Sequence, residues 1–143
     1  MFLGEYSHTI DSKKRLAIPS KFREQLGKEA VLTRGLDNCL FLFSKKEWEV
    51  LASKLGKLPI GQRDARGFGR LMLAGAYDVE MDGLGRILIP DYLKKYASFK
   101  KRVVIAGLYN RLEIWDEEKW NQYKQKTEKE VGDVAERLGE LGV

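Results

Sequence analysis

Two arginines, Arg15 and Arg86, each stand four residues after an aspartate and just before three apolar residues and a proline. The segments read Asp11-Ser12-Lys13-Lys14-Arg15-Leu16-Ala17-Ile18-Pro19 and Asp82-Gly83-Leu84-Gly85-Arg86-Ile87-Leu88-Ile89-Pro90. A guanidinium beside a tight turn can fork onto a phosphate or onto the O6/N7 edge of guanine. Asp11 and Asp82 can accept backbone N–H groups of their own turns and pair with the arginine, holding it in register. On these residues alone two readings stand level: a nucleic-acid contact, or an ion pair that only stabilises a turn. Lys13 and Lys14 thicken the positive tip of the first motif.

Other side chains offer less. Lys21, Arg23, Lys94, Lys95, Lys100, Lys101 and Arg102 can meet phosphates, although a solvated face is the commoner role of any single lysine. Arg63, Arg66 and Arg70 suit a DNA-facing loop or a subunit contact equally. Asp78, Glu80 and Asp82 share one face of an alternating strand, as hard-cation ligands can. Their counterparts Ser7, Thr9 and Asp11 break that row, so a solvated face or a basic neighbour is the better reading. His8 belongs on an inward strand face. Cys39 has no cysteine to pair with, and its apolar neighbours Leu40 to Phe43 make it a buried thiol. One histidine and one cysteine supply neither a metal-ligand set nor a nucleophile–base pair. Gly67-Phe68-Gly69 is too short for a dinucleotide loop. No catalytic residue, metal or cofactor is expected, and the chain does not read as an enzyme.

The elements that must place the two arginines follow from a repeat. Residues 6–26 match 77–97 at an offset of 71, and 28–48 match 100–120 at an offset of 72. The identities include Tyr6/Tyr77, Ile18/Ile89, Pro19/Pro90, Val31/Val103, Gly35/Gly107, Leu36/Leu108 and Trp48/Trp120. Each copy predicts strand, turn, strand, short helix, strand, turn, strand, helix. In the second copy Tyr77–Met81 alternates as a half-buried strand, and Pro90 suits the first turn of a helix over 91–97. Ser44 and Asp116 are helix caps. Repeat 1 is assigned to 5–48, a helix and basic linker to 49–75, repeat 2 to 76–120, and a helical tail to 121–143. The linker from Leu58 to Arg70 reads as a hinge or a basic loop, and Leu71–Ala76 as apolar without period. The tail either docks on a neighbouring subunit or frays.

A unit of fewer than fifty residues seldom buries enough surface to stand alone. The two copies are therefore expected to interlock around one core, each covering a sheet edge of the other. A net charge of +5 favours an anionic partner. No apolar run has the length of a membrane span, so a cytoplasmic protein is expected.

The doubled DxxxR-apolar-apolar-apolar-Pro motif, followed by GLDNCLFLF and GLYNRLEIW, resembles the MraZ family of bacterial transcriptional regulators. The likeness runs from Tyr6 to the helix after Trp120. It implies an α+β chain of two tandem AbrB-like swapped-hairpin repeats, forming one pseudo-twofold β-rich barrel with flanking helices. It also implies a ring-like, octamer-like homo-oligomer acting at the nucleoid. The partner implied is double-stranded DNA, at repeated boxes in the promoter of a division and cell-wall gene cluster. Arg15, Arg86, Lys13 and Lys14 would then contact DNA, with Asp11 and Asp82 stabilising the turns. An interaction scaffold without DNA specificity, or an RNA binder, are the rival expectations. The family motif usually carries glycine where this chain has Lys14. If that turn needs positive φ, the lysine costs about 1 kcal/mol.

Overall fold

The computed structural model describes all 143 residues. The first repeat lays down β1 (Phe2–Thr9), β2 (Arg15–Ala17), α1 (Ser20–Leu26), β3 (Glu29–Arg34), β4 (Leu40–Ser44) and α2 (Lys45–Gly56). The second lays down β5 (Tyr77–Glu80), β6 (Arg86–Leu88), α4 (Asp91–Tyr96), β7 (Arg102–Tyr109), β8 (Leu112–Asp116) and α5 (Glu117–Leu138). Between them lies α3 (Arg63–Gly69), continued by a π-helical turn over Arg70–Ala74.

The strands pair as an antiparallel six-stranded sheet, β1-β7-β8-β4-β3-β5, and a two-stranded ribbon, β2-β6. Apart from the hairpins β3–β4 and β7–β8, every strand pair joins one repeat to the other. The interlocked arrangement expected from the small size of each copy is thus realised in backbone hydrogen bonds. A pseudo-twofold axis passes between Leu16 and Ile87 in the ribbon and between Phe41 and Glu113 in the sheet. Each is a pair of equivalent positions brought opposite one another.

One face of the sheet and the inner face of the ribbon enclose the main core, with Leu16, Ile18, Phe22, Ile87, Ile89 and Leu93 at its ribbon side. All six are almost fully buried. Burial of a side chain of this size contributes about 1.5–3 kcal/mol, so the ribbon is fastened mainly by its inward residues. The other face of the sheet carries Phe41, Phe43 and Trp115, covered by Leu55, Trp48 and Leu51 of α2, Met72 of the π turn and Trp120 of α5. Burial also pushes the Cys39 thiol well above its ordinary range, and its sulfur lies 3.1 Å from the Leu36 carbonyl.

Three sequence readings change. Tyr6 pairs with Ile105, and its counterpart Tyr77 pairs with Leu32, so β3 and β7 correspond at an offset of 73 rather than 72. The β7–β8 turn is then one residue shorter than the β3–β4 turn. Pro90 is the cap before α4 (φ −65°, ψ 151°) and not its first helical residue. The stretch read as a hinge or loop is largely helical from Arg63. The buried Thr33 hydroxyl donates to the Met72 carbonyl at 2.6 Å and anchors the following turn. The tail is helical to Leu138; it is seated at its start by Trp120 and Tyr123, whose rings lie 5.4 and 5.0 Å from that of Trp115.

Candidate nucleic-acid interface

Each DxxxR turn is built on its aspartate. Asp11 Oδ1 accepts from the backbone N–H of Lys13 (2.8 Å) and of Arg15 (2.9 Å), and Asp82 Oδ1 accepts likewise from Leu84 and Arg86 (both 2.9 Å). The turn closes with Lys14 N–H donating to Asp11 O and Gly85 N–H to Asp82 O, both at 3.0 Å. Lys14 and Gly85 both have positive φ, 63° and 76°. Positive φ is therefore required at this place, and the lysine bears a strain that its glycine counterpart avoids.

The second carboxylate oxygen holds the arginine. Arg15 Nε donates to Asp11 Oδ2 at 2.9 Å and Arg86 Nε to Asp82 Oδ2 at 2.8 Å, which leaves the terminal Nη groups of both without a protein partner. The Arg15 backbone N–H is the chief reason the Asp11 carboxyl lies below its usual range, and the Arg86 N–H does the same for Asp82; the guanidinium bonds add to this. Both aspartates thus remain anionic and keep the forks in register.

The ribbon places both arginines on one surface. Arg15 pairs with Leu88, Leu16 with Ile87 and Ala17 with Arg86. Leu16 and Ile87 are buried, so strand alternation turns Arg15, Ala17, Arg86 and Leu88 outward together. Diagonal positions of an antiparallel pair lie about 7–8 Å apart, so the two arginines start close and diverge toward opposite turns. The backbone bonds from Ile18 N–H to Gly85 O and from Ile89 N–H to Lys14 O, both 2.9 Å, lock each turn to the other strand. A two-stranded ribbon of this kind fits the major groove of B-DNA.

The predicted lysines divide. Lys13 is exposed at the tip. Lys14 Nζ lies 2.7 Å from Asp91 Oδ2 of α4, so it is tied across the repeats. Lys100 and Arg102 pair with Glu118 and Glu117 at the start of α5 and lie off the ribbon. Lys21 donates to Leu3 O at 3.3 Å. Arg23 donates from Nε to Ile18 O at 2.8 Å, with its guanidinium lying over Gly85. Arg66 donates to Ile60 O, within its own segment. The row Asp78, Glu80, Asp82 is paired with Lys45, Lys28 and Arg86, as a face meeting basic neighbours. His8 is half-buried in β1, opposite Val103. Sequence reasoning missed the Lys14–Asp91 bond and the Arg23–Gly85 stacking, which join residues 77 and 62 positions apart. No local pattern signals either.

A family profile described as "MraZ protein, putative antitoxin-like" matches residues 1–71 and again residues 72–140. Curated relatives align over the whole of both chains: one from Alkaliphilus metalliredigens is 49% identical over 143 residues. Others from Caldicellulosiruptor saccharolyticus and Clostridium tetani are 50% and 48% identical. All three carry the name Transcriptional regulator MraZ.

Proposed function

Because this chain belongs to the MraZ family, we propose that it is a sequence-specific DNA-binding transcriptional regulator whose β2–β6 ribbon enters the major groove. The observation that carries this reading is the pair of tethered arginines on one outward ribbon face, with their Nη groups unpartnered. Arg15 and Arg86 fork onto guanine edges or flanking phosphates, Lys13 supplies charge, and Asp11 and Asp82 hold the geometry. Lys14 acts through its bond to Asp91 as much as through its charge.

One small ribbon spans few base pairs, so selectivity needs repetition. A closed homo-oligomeric ring presenting several ribbons to repeated promoter boxes gains avidity from the effective concentration of each further contact. The outer half of α5, where Val131, Leu138 and the following Leu141 are exposed, suits a contact between subunits. The target is the promoter of a division and cell-wall gene cluster, and the protein works in the cytoplasm on the nucleoid.

The test is a titration of fluorescent promoter duplex from that cluster against a shuffled duplex at matched salt, with the wild type, Arg15→Ala and Arg86→Ala. Tight binding to the promoter alone, weakened in both variants at unchanged fold and assembly, is expected. Equal weak binding to both duplexes, indifferent to the substitutions, would leave the arginines as turn struts and favour an interaction scaffold.

A further inference from the structure

The outward face of the ribbon holds four side chains in a two-by-two block. The arginines occupy one diagonal, and Ala17 and Leu88 occupy the other. Leu88 is 43% exposed, while its neighbours Ile87 and Ile89 are buried at 1% and 0%. Its equivalent in the first repeat is Ala17, so the fold does not need a large apolar residue there. A leucine held in water between two cations adds nothing to charge or solubility. Its apolar surface contributes only when something covers it.

From this we infer that Leu88 is a specificity-determining residue that packs on the 5-methyl group of a thymine while Arg15, directly opposite, engages the adjoining guanine. The inference rests on the DNA-binding reading above. In the major groove the thymine methyl is the distinctive apolar feature of a base edge, and small or medium apolar side chains recognise it. Side chains directly opposite on an antiparallel pair start about 4.5–5.5 Å apart, which matches a reach onto neighbouring base pairs about 3.4 Å apart along the helix. The far end of Leu88's own diagonal is Ala17, which presents much less apolar surface from the same backbone depth. The pseudo-twofold ribbon is therefore chemically one-sided: apolar contact beside Arg15, little beside Arg86.

A DNA-side substitution isolates the methyl. A duplex is selected from a random library by the wild-type chain, then made once with thymidine and once with deoxyuridine, which pairs identically but lacks the methyl. Affinities are measured by anisotropy at one salt concentration for the wild type, Leu88→Ala and Arg15→Ala. The wild type is expected to bind the deoxyuridine duplex about fourfold more weakly for each contacted methyl. Leu88→Ala should bind the thymidine duplex as weakly as the wild type binds the deoxyuridine form, with no difference between the two. Single deoxyuridine replacements then locate the thymine. A wild type indifferent to the methyl, or a Leu88→Ala variant that keeps the full difference, overturns the assignment. The wild-type arm needs no mutation, so misfolding of a variant cannot mask the result. If selection enriches no duplex and Arg15→Ala changes nothing, the DNA reading itself fails and this inference falls with it. If selection succeeds and only the methyl has no effect, the DNA reading stands alone.

Discussion

Lys14 and Gly85 occupy the same place in their turns, with φ of 63° and 76°, yet only one of them is glycine. Each solution has its own cross-repeat support. Lys14 reaches Asp91 of the second repeat, and Gly85 lies beneath Arg23 of the first. Substitution should therefore be asymmetric. Lys14→Gly removes a left-handed strain of about 1 kcal/mol and an exposed ion pair worth about 0–1 kcal/mol, while freeing the unfolded chain. Its stability should stay within about 1 kcal/mol of wild type in urea melts. Gly85→Ala adds a Cβ that overlaps the Arg23 guanidinium at positive φ, and should lose about 1–3 kcal/mol. Equal losses in the two variants would show that the turns do not differ in this way.

Acid should loosen both turns. The folded carboxyls of Asp11 and Asp82 titrate below their ordinary range, chiefly because backbone N–H groups of Arg15 and Arg86 donate to them. With the folded value depressed, their stabilising contribution is complete above the unfolded value of about 3.9 and is lost as pH falls through the folded one. Carboxyl-detected NMR titration should give both midpoints below the ordinary aspartate value of about 3.9. Asp11→Asn keeps an oxygen to accept the turn N–H groups but cannot ion-pair with Arg15. It should fold, weaken DNA binding several-fold, and lose that part of the acid dependence. Midpoints at the ordinary aspartate value would remove the electrostatic account of the turns.

Much of this architecture was legible because the repeated elements carry local signals. The DxxxR turns, the Ser44 and Asp116 caps and the alternation of Tyr77–Glu80 each declare themselves within a few residues. The register of β3 does not. Ala30, Val31, Leu32 and Thr33 are buried on both faces, so no polar alternation fixes which residues point inward. The identity of Val31 with Val103 then drew the alignment one residue out of place. The helix from Arg63 was hidden by Gly67 and Gly69, which lower helical propensity, and is held by tertiary contacts around Met72 that no window reveals. For the site, sequence supplied the residues, and only the fold shows that Arg15 and Arg86 share one face.

Exchange of strands between repeats predicts what happens when they are separated. In the intact chain β1 pairs only with β7, and β5 only with β3. A fragment of residues 1–71 has no β7, so it should give no folded monomer by circular dichroism and light scattering. It should fold only with a 72–143 fragment, or with a second copy supplying β3 as the partner of β1. A folded, monomeric 1–71 fragment would contradict the topology.

The same topology makes the β1–β7 seam sensitive to a single carbon. A Cβ at Gly107 would lie 2.5 Å from the Leu3 backbone nitrogen and 2.6 Å from the Phe2 carbonyl carbon, atoms that cannot swing aside as a side chain can. Gly107→Ala should therefore force the strands apart near Gly4 and cost about 1–3 kcal/mol, the range for inserting excess volume into a packed site. Hydrogen exchange should quicken along Phe2–Tyr6 well before it does in the ribbon, which is fastened by its own inward residues. Uniform acceleration would indicate global destabilisation without local opening of the seam.

Charge and fork are separable at the arginines. Lysine keeps the positive charge but offers one ammonium where arginine offers a planar pair of donors. If Arg15 and Arg86 contact only phosphate, Arg→Lys should preserve affinity, and Arg→Ala should lower the salt slope by about one per arginine while weakening all sequences alike. If they fork onto guanine, Arg→Lys should keep the salt slope but lose discrimination by about 1–3 kcal/mol per base contact, roughly 5- to 150-fold. The tether favours the second outcome. Nε is committed to the aspartate in both turns, which orients the guanidinium plane and presents its Nη edge in one direction, an arrangement that a diffuse phosphate contact does not need. We therefore expect Arg15→Lys and Arg86→Lys each to lose about 5- to 150-fold of the preference for promoter over shuffled duplex, with the salt dependence of the wild type. Retained promoter preference in both lysine variants would reassign the arginines to the backbone and leave base recognition to other residues of the ribbon.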